Sequence, residues 1–342
     1  MRNFHLPNSV VLELTYKCNH KCNFCSCPWD APCSAYPKAP ELTVPEWKRV
    51  VDKLYNKGIK SYSISGGEAL LKDGFKDIIS HIRTEGNKRG INNPIVLISN
   101  GLSMKDEYLW FFKEMNVHLS MSLPGYTTFE EHTGVDNADG VLHWFKVAKS
   151  IGLETTLNVT VTQKNYEELF QTISLGLING ANDILLNRFL PGGRGLAYMN
   201  ELRLTSEQVN GMLEVAEEVL RYANKYGNVG TEIPLCTIKN IQKYERLHIG
   251  YRCAAAKGFF VVDPSGNIRT CNHSPRIVGH IFGKPIITDM EYWDIFATSD
   301  YLPESCSGCI LKTKCDSGCR EVANILHGTP KAIDTSITPI GI

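Results

Sequence analysis

Between residues 10 and 190 the chain alternates two hydrophobic patterns. Short runs rich in β-branched residues read as strands: VVLELTY (10–16), SYSIS (61–65), PIVLIS (94–99), VHLSMSL (117–123), TTLNVTVT (155–162) and NDILLNRF (182–189). Longer stretches with apolar positions three and four apart read as helices: TVPEWKRVVDKLYNKG (43–58), FKDIISHIRTEGNKRG (75–90), KDEYLWFFKEM (105–115), GVLHWFKVAKSIG (140–152) and NYEELFQTISLGLING (165–180). The first helix carries its own start signal, with Thr43 as N-cap, Pro45 in the first turn and Glu46 three residues after the cap. The alternation predicts an α/β protein with six βα repeats around a parallel sheet. Six are too few to close an eight-stranded barrel, which leaves an open, curved barrel segment or a doubly wound sheet. In both, reactive groups gather at the C-terminal ends of the strands.

PGGRG (191–195) breaks the repeat, and a long helix is predicted from about Thr205, TSEQVNGMLEVAEEVLRYANKYG. The expected domains are therefore a βα domain over 1–200, a bridging helix over 201–230 and a turn-rich domain over 231–342. The clearest element of the last is GFFVVDPSGNIRTC (258–271), a hairpin turning at Asp263-Pro264-Ser265-Gly266.

Composition narrows the function classes. Lys plus Arg (36) balances Asp plus Glu (36), so no overall field draws in nucleic acid or an anionic membrane. The N-terminal MRNFHLPNSVVLELTY is neither a signal peptide nor a membrane span, and a cytoplasmic protein is expected. Twelve cysteines in a reducing compartment point away from a disulfide framework, toward metal binding, redox chemistry or inert burial.

Spacing sorts them. Cys18, Cys22 and Cys25 follow the first strand as C-x3-C-x2-C, one ligand short of a structural zinc site, whereas a cubane iron-sulfur cluster held by three thiolates leaves one iron open. Ser65-Gly66-Gly67-Glu68 follows the second strand, where glycines permit close backbone approach and a carboxylate accepts from an ammonium group. Polar residues also end the later strands: Asn100, Ser122, Asn158 and Arg188. Downstream, Cys253, Gly266 and Cys271 form C-x12-G-x4-C, and Cys306, Cys309, Cys315 and Cys319 form C-x2-C-x5-C-x3-C. By residue chemistry alone, this second group suits a structural zinc site as well as a cluster.

The cysteine loop, with Phe24 just before its last cysteine, and the Gly-Gly-Glu after the second strand resemble the radical S-adenosylmethionine (SAM) enzymes, over residues 10 to about 190. The resemblance implies a partial (β/α)6 TIM-like barrel in which Cys18, Cys22 and Cys25 hold a [4Fe–4S] cluster whose open iron is chelated by SAM. It places Gly66, Gly67 and Glu68 along the methionine moiety, Ser122 by the ribose or carboxylate and Phe24 by the adenine, with Asn100, Asn158 and Arg188 as further contacts. It also implies reductive SAM cleavage to a 5'-deoxyadenosyl radical that abstracts hydrogen.

Residues 253 to 319 resemble the SPASM extension, which binds two auxiliary [4Fe–4S] clusters. Carried over, Cys253, Cys271 and Cys319 hold the first and Cys306, Cys309 and Cys315 the second. No cysteine follows Cys319. Cys236 is the expected fourth ligand of the first cluster, while the second is left with Asp334, His327, water, substrate or nothing. Cys27 and Cys33 are read as partly buried free thiols, and Lys17, His20 and Lys21 as solvated polar residues.

Enzymes with this extension mostly mature peptides or proteins, so the expected product is a thioether, a carbon–carbon or cyclophane crosslink, or an oxidised side chain. The alternatives are formylglycine formation of the sulfatase-maturase type, a small-molecule radical SAM dehydrogenase, and a non-catalytic iron-sulfur or zinc protein. With the triad starting at residue 18 there is no room for a fused leader-binding domain. The expected partners are a peptide substrate, a separate leader-recognition protein and an electron donor of the flavodoxin or ferredoxin type.

Overall fold

A computed structural model describes residues 6–337. One open sheet of eleven strands runs through the molecule, in the order β11-β10-β9-β1-β2-β3-β4-β5-β6-β7-β8. The six expected strands are β1 (Ser9–Glu13), β2 (Ser61–Ser65), β3 (Ile95–Ser99), β4 (Val117–Ser122), β5 (Thr155–Val161) and β6 (Asp183–Arg188), each parallel to the next. Helical crossovers join them, with α1 (Val44–Asn56), α2 (Phe75–Lys88), α3 (Asp106–Glu114), a short α4 (Phe129–Thr133), α5 (Ala138–Ser150) and α6 (Leu169–Asn179) in turn. This is the partial barrel: a parallel sheet that does not close.

The helices form where the pattern places them. In α1, Trp47, Val50, Val51 and Leu54 recur at three- and four-residue spacing and are all fully buried. Each stabilises the packed helix by about 1.5–3 kcal/mol of apolar burial. The start signal is a complete capping box: Glu46 N–H donates to Thr43 Oγ1 at 3.4 Å, and Thr43 N–H donates to Glu46 Oε2 at 2.9 Å. After two turns of α7 (Met199–Leu202 and the 3-10 segment Gly193–Tyr198 before it), α8 (Ser206–Ala223) begins behind a second capping box, Thr205 with Gln208.

In β5 and β6 the alternation separates two faces. Leu157, Val159, Val161, Ile184 and Leu186 are buried, while Asn158, Thr160 and Asn187 line an inner cavity, where Asn187 Nδ2 donates to Asn158 Oδ1 at 2.9 Å.

The sheet extends further than the periodicity showed. β7 (Gly227–Val229) and β8 (Leu247–Ile249) continue the parallel run to eight strands; at three residues each they are too short to carry a period. The expected hairpin is β9 (Phe259–Val262) and β10 (Asn267–Arg269), followed by β11 (Gly279–His280). Asp263 Oδ1 accepts from Ser265 N–H at 2.9 Å and Asn267 N–H at 2.8 Å, and Gly266 takes φ +90°, which closes the turn.

Strand β9 lies parallel to β1, with Ser9 opposite Phe259 and Leu12 opposite Val262, so the C-terminal region is built onto the first strand. A buried ion pair locks this junction, Glu13 at the end of β1 with Arg269 at the end of β10. Arg269 also donates to the carbonyls of Asn272 and Ser274 at 2.9 Å each. Two late helices, α9 (Met290–Ala297) and α10 (Arg320–His327), complete the fold. No helix among the described residues is long and apolar enough to cross a membrane.

Candidate cofactor and cluster site

The loop after β1 carries Cys18, Cys22 and Cys25, and all three line one cavity of about 130 Å³ with Phe24, Gly67, Glu68, Asn100 and Ser122. Burial pushes the Cys18 and Cys22 thiols up, whereas Cys25 is held low by the Cys27 thiol, which donates to it. Backbone contacts from two other loops fix this one.

Gly67 N–H donates to Thr15 O at 2.7 Å and Glu68 N–H to Lys17 O at 2.8 Å. A Cβ on Gly67 would stand 2.2 Å from the Lys17 carbonyl oxygen, and Gly66 holds φ +141° against Thr15. The two glycines thus allow the second strand's loop to press on the cysteine loop, and they flank it on separate cavities.

Glu68 is buried and its carboxylate accepts from Leu70 N–H (3.1 Å), Ser99 Oγ (3.0 Å) and Asn100 N–H (2.8 Å). Burial raises its pKa, and those three donors oppose the rise. A carboxylate offers about four acceptor positions, so one remains for a ligand. Asn100 Nδ2 donates to Asn19 Oδ1 at 2.8 Å, and Ser122 pairs in register with Asn158.

PGGRG, an interruption in the sequence pattern, is a clasp in the fold. Arg194 donates to Cys22 O at 3.2 Å and to Asp30 at 3.1 Å, and Gly195 N–H donates to Cys25 O at 3.0 Å. A Cβ on Gly193 would lie 2.5 Å from Cys27 O. On the other side His273 donates from Nε2 to Pro191 O at 2.8 Å. One segment therefore grips both the N-terminal cysteine loop and the C-terminal region.

His20 departs from its expected solvated place. It is buried at 4% exposure against Phe129, its pKa falls to about 4 through desolvation, and its Nε2 has no partner. Lys17 and Lys21 are exposed as expected; Cys27 is half-buried, and Cys33 is exposed rather than partly buried.

A second cavity, about 480 Å³, connects the two ends of the chain. Its wall includes Phe24, Cys25 and Cys27 on one side and Cys253, Cys271 and Cys319 on the other, with Asn158 and Asn187 between. Glu232, half-buried, faces it, and the enclosing protein pushes its carboxyl up to about 7. Arg188 also reaches its rim, but the guanidinium is committed: it pairs with buried Asp334 at 2.5 Å, and donates to Ser336 at 2.6 Å and to Glu232 O at 3.0 Å.

The other thiols form two sets. Cys253, Cys271 and Cys319 are buried around the large cavity, and Cys306, Cys309 and Cys315 lie in the loop before α10. Cys236, expected with the first set, stands beside the second: Leu235 N–H, its neighbour in the 3-10 turn Leu235–Thr237, donates to Cys315 Sγ at 3.4 Å. Asp334 is occupied by Arg188, Ser336 and Cys319 N–H, and His327 by Thr335 Oγ1 at 2.9 Å, so both proposed oxygen and nitrogen donors have partners in the fold.

The thiols fit clusters better than single ions. Zinc at about 2.3 Å from each sulfur needs its thiolates within about 4 Å of one another. Among the described residues, the group of three or more His, Cys, Asp or Glu whose ligand atoms all lie within 4.8 Å is Asp52, His81 and Glu85, with no cysteine in it. A cubane spreads its thiolates wider. His20, whose buried Nε2 has no partner, and Glu68, with an acceptor position remaining, both line the small cavity.

Residues 12–176 match the model of the Radical SAM superfamily. Curated relatives include PqqA peptide cyclase of Xanthomonas campestris pv. campestris (strain B100), 25% identical over 96% of this chain and 86% of the relative. AdoMet-dependent heme synthase of Methanosarcina barkeri (strain Fusaro / DSM 804) is 26% identical over 94% of this chain and 93% of its own. Among solved structures, Streptococcus suis SuiB bound to the precursor peptide SuiA aligns with a TM-score of 0.72 at 16% identity, covering 97% of this chain and 76% of SuiB. Residues 12–176 thus carry a radical SAM domain, and the likeness to enzymes runs over nearly the whole chain. With that family come S-adenosylmethionine and a [4Fe–4S] cluster as cofactors.

Proposed function

We propose that this enzyme modifies a side chain of a peptide. The observation that carries the reading is the 480 Å³ cavity walled by the N-terminal cysteine loop and by three C-terminal thiols, a space sized for side chains. A relative named as a peptide cyclase and a neighbour solved with its precursor peptide support the substrate class. In this reading Cys18, Cys22 and Cys25 hold the N-terminal cluster, and the thiols of a SPASM-like region over 231–342 hold two auxiliary clusters. The barrel domain over 1–200 and the bridging helix over 201–230 complete the division, and we place the enzyme in the cytoplasm.

Bound together, cluster and SAM supply a hydrogen-abstracting 5'-deoxyadenosyl radical. The chain's own residues do the rest. Glu68 offers its remaining acceptor position to the SAM ammonium, Gly66 and Gly67 flank the methionine moiety, and Ser122 and Asn100 line the same cavity. Phe24 borders both cavities and so separates cofactor from substrate. Asn158 and Asn187 present amides to a substrate backbone, and Arg188 acts as a positioning residue through Asp334. Glu232 lines the large cavity beside Glu13 and Glu321, and its carboxyl, raised to about 7 by burial, suits proton exchange near neutral pH. The product is a thioether, a carbon–carbon crosslink or an oxidised residue. A separate leader-recognition protein and a flavodoxin- or ferredoxin-type donor complete the assembly.

The heme-synthase relative favours a second reading, a small-molecule substrate. Anaerobic reconstitution with SAM, dithionite and candidate precursor peptides separates them. The peptide reading expects 5'-deoxyadenosine together with a peptide lighter by two hydrogens; 5'-deoxyadenosine with an unaltered peptide defeats it.

A further inference from the structure

The C-terminal thiols divide unequally. Cys315 and Cys319 are four residues apart, yet the chain reverses between them through Ser317 (φ +62°) and Gly318 (φ +84°). Cys319, the N-cap of α10, lines the large cavity, whereas Cys315, also buried, lies outside that lining. A Cβ on Gly318 would meet Asp334 at 2.4 Å, so the reversal is built into the packing.

Outside the cavity lining the backbone is arranged to donate to sulfur. Leu235 N–H and Ser317 N–H approach Cys315 Sγ at 3.4 and 3.3 Å, Leu311 N–H approaches Cys309 Sγ at 3.4 Å, and Ser317 Oγ approaches Cys306 Sγ at 3.2 Å. Such donors stabilise thiolates bound to iron. On the inward side, Cys253, Cys271 and Cys319 line the large cavity with Glu232 and Glu321, and Cys236 is not part of that lining.

Resting on the reading of these thiols as cluster ligands, we propose that Cys236 is the fourth thiol of an outer centre with Cys306, Cys309 and Cys315, and that the cavity-facing centre of Cys253, Cys271 and Cys319 has only three. The fourth thiol comes from seventy residues before Cys306, on a turn that packs against the same loop. Completion by thiolate at the surface suits the outer centre to pass electrons. The inner centre takes its fourth donor from a group other than cysteine, on the side where the substrate cavity lies.

Alkylation of the reconstituted wild-type chain tests this directly, because Cys236 and Cys33 are both exposed when no cluster is bound. Treated anaerobically with iodoacetamide and mapped by peptide mass spectrometry, Cys33 should label at once and Cys236 should be protected at least tenfold. During slow removal of iron by a chelator, Cys236 should become reactive in step with Cys306, Cys309 and Cys315. Cys253, Cys271 and Cys319 should emerge as a separate set of three. Labelling of Cys236 at the rate of Cys33 in iron-loaded protein overturns the inference, as does its emergence with Cys253 and Cys271. A chain that takes up no iron at its C-terminal thiols overturns the underlying cluster reading instead, so the two failures are distinct.

Discussion

In the N-terminal loop three thiols come from eight consecutive residues, Cys18 to Cys25, whereas the seven C-terminal thiols come from four segments spread between residues 236 and 319. The first group is assembled by local chain geometry and then clasped by Gly66, Gly67 and Arg194. The second exists only because the hairpin β9–β10, the turn at Cys236 and the loop before α10 dock on the sheet. A short-range ligand set announces itself by spacing; a long-range one is defined by which surfaces meet.

That contrast can be broken from either side. Replacing Arg269 by Met leaves Glu13 buried without its partner, which costs about 3–5 kcal/mol. Because the pair joins β1 to the C-terminal region, thermal unfolding should shift markedly, and auxiliary iron should be lost while Cys18, Cys22 and Cys25 stay protected from alkylation. Equal loss at both groups would show that they are not separable. Gly67→Ala acts on the other side. Its Cβ would press on the Lys17 carbonyl, and relief of that contact costs about 1–3 kcal/mol. The expected result is early loss of the N-terminal cluster with the C-terminal thiols unchanged; simultaneous release would count against local assembly.

The smallest effect lies at the β8 edge, remote from both groups. Burial pushes the Glu217 carboxyl up, but the N–H groups of Glu245, Arg246 and Leu247 and the Arg221 side chain outweigh it, and the net pKa is lowered. A carboxyl with a lowered folded pKa contributes stability that is present above about pH 4.3 and lost as pH falls through its folded value. The stability difference between wild type and Glu217→Gln should therefore be full at pH 6 and shrink below pH 4. A difference constant with pH would remove Glu217 from the account, and any change in cluster content would contradict the remoteness of this edge.

Much of the architecture was legible before folding. The capping box at Thr43, the alternation in SYSIS and TTLNVTV and the Asp263–Gly266 turn are local preferences that tertiary packing reinforced. β7 and β8 were not legible, since three-residue strands have no period and are held by their neighbours. His20 reads as polar by type and is buried only because Phe129 of a distant helix covers it. Arg188 sits at a strand end where ligand contact is expected, yet Asp334, 146 residues later, claims its guanidinium.

Sequence by itself determined the α/β repeat, the cysteine triad and the glycine-glycine-glutamate loop, because periodicity and spacing within some ten residues are set by backbone geometry alone. Tertiary structure decided which of the remaining thiols lie near one another, what PGGRG grips and where the large cavity lies. Those depend on contacts between segments far apart in the chain, and no local preference encodes the meeting of two distant surfaces.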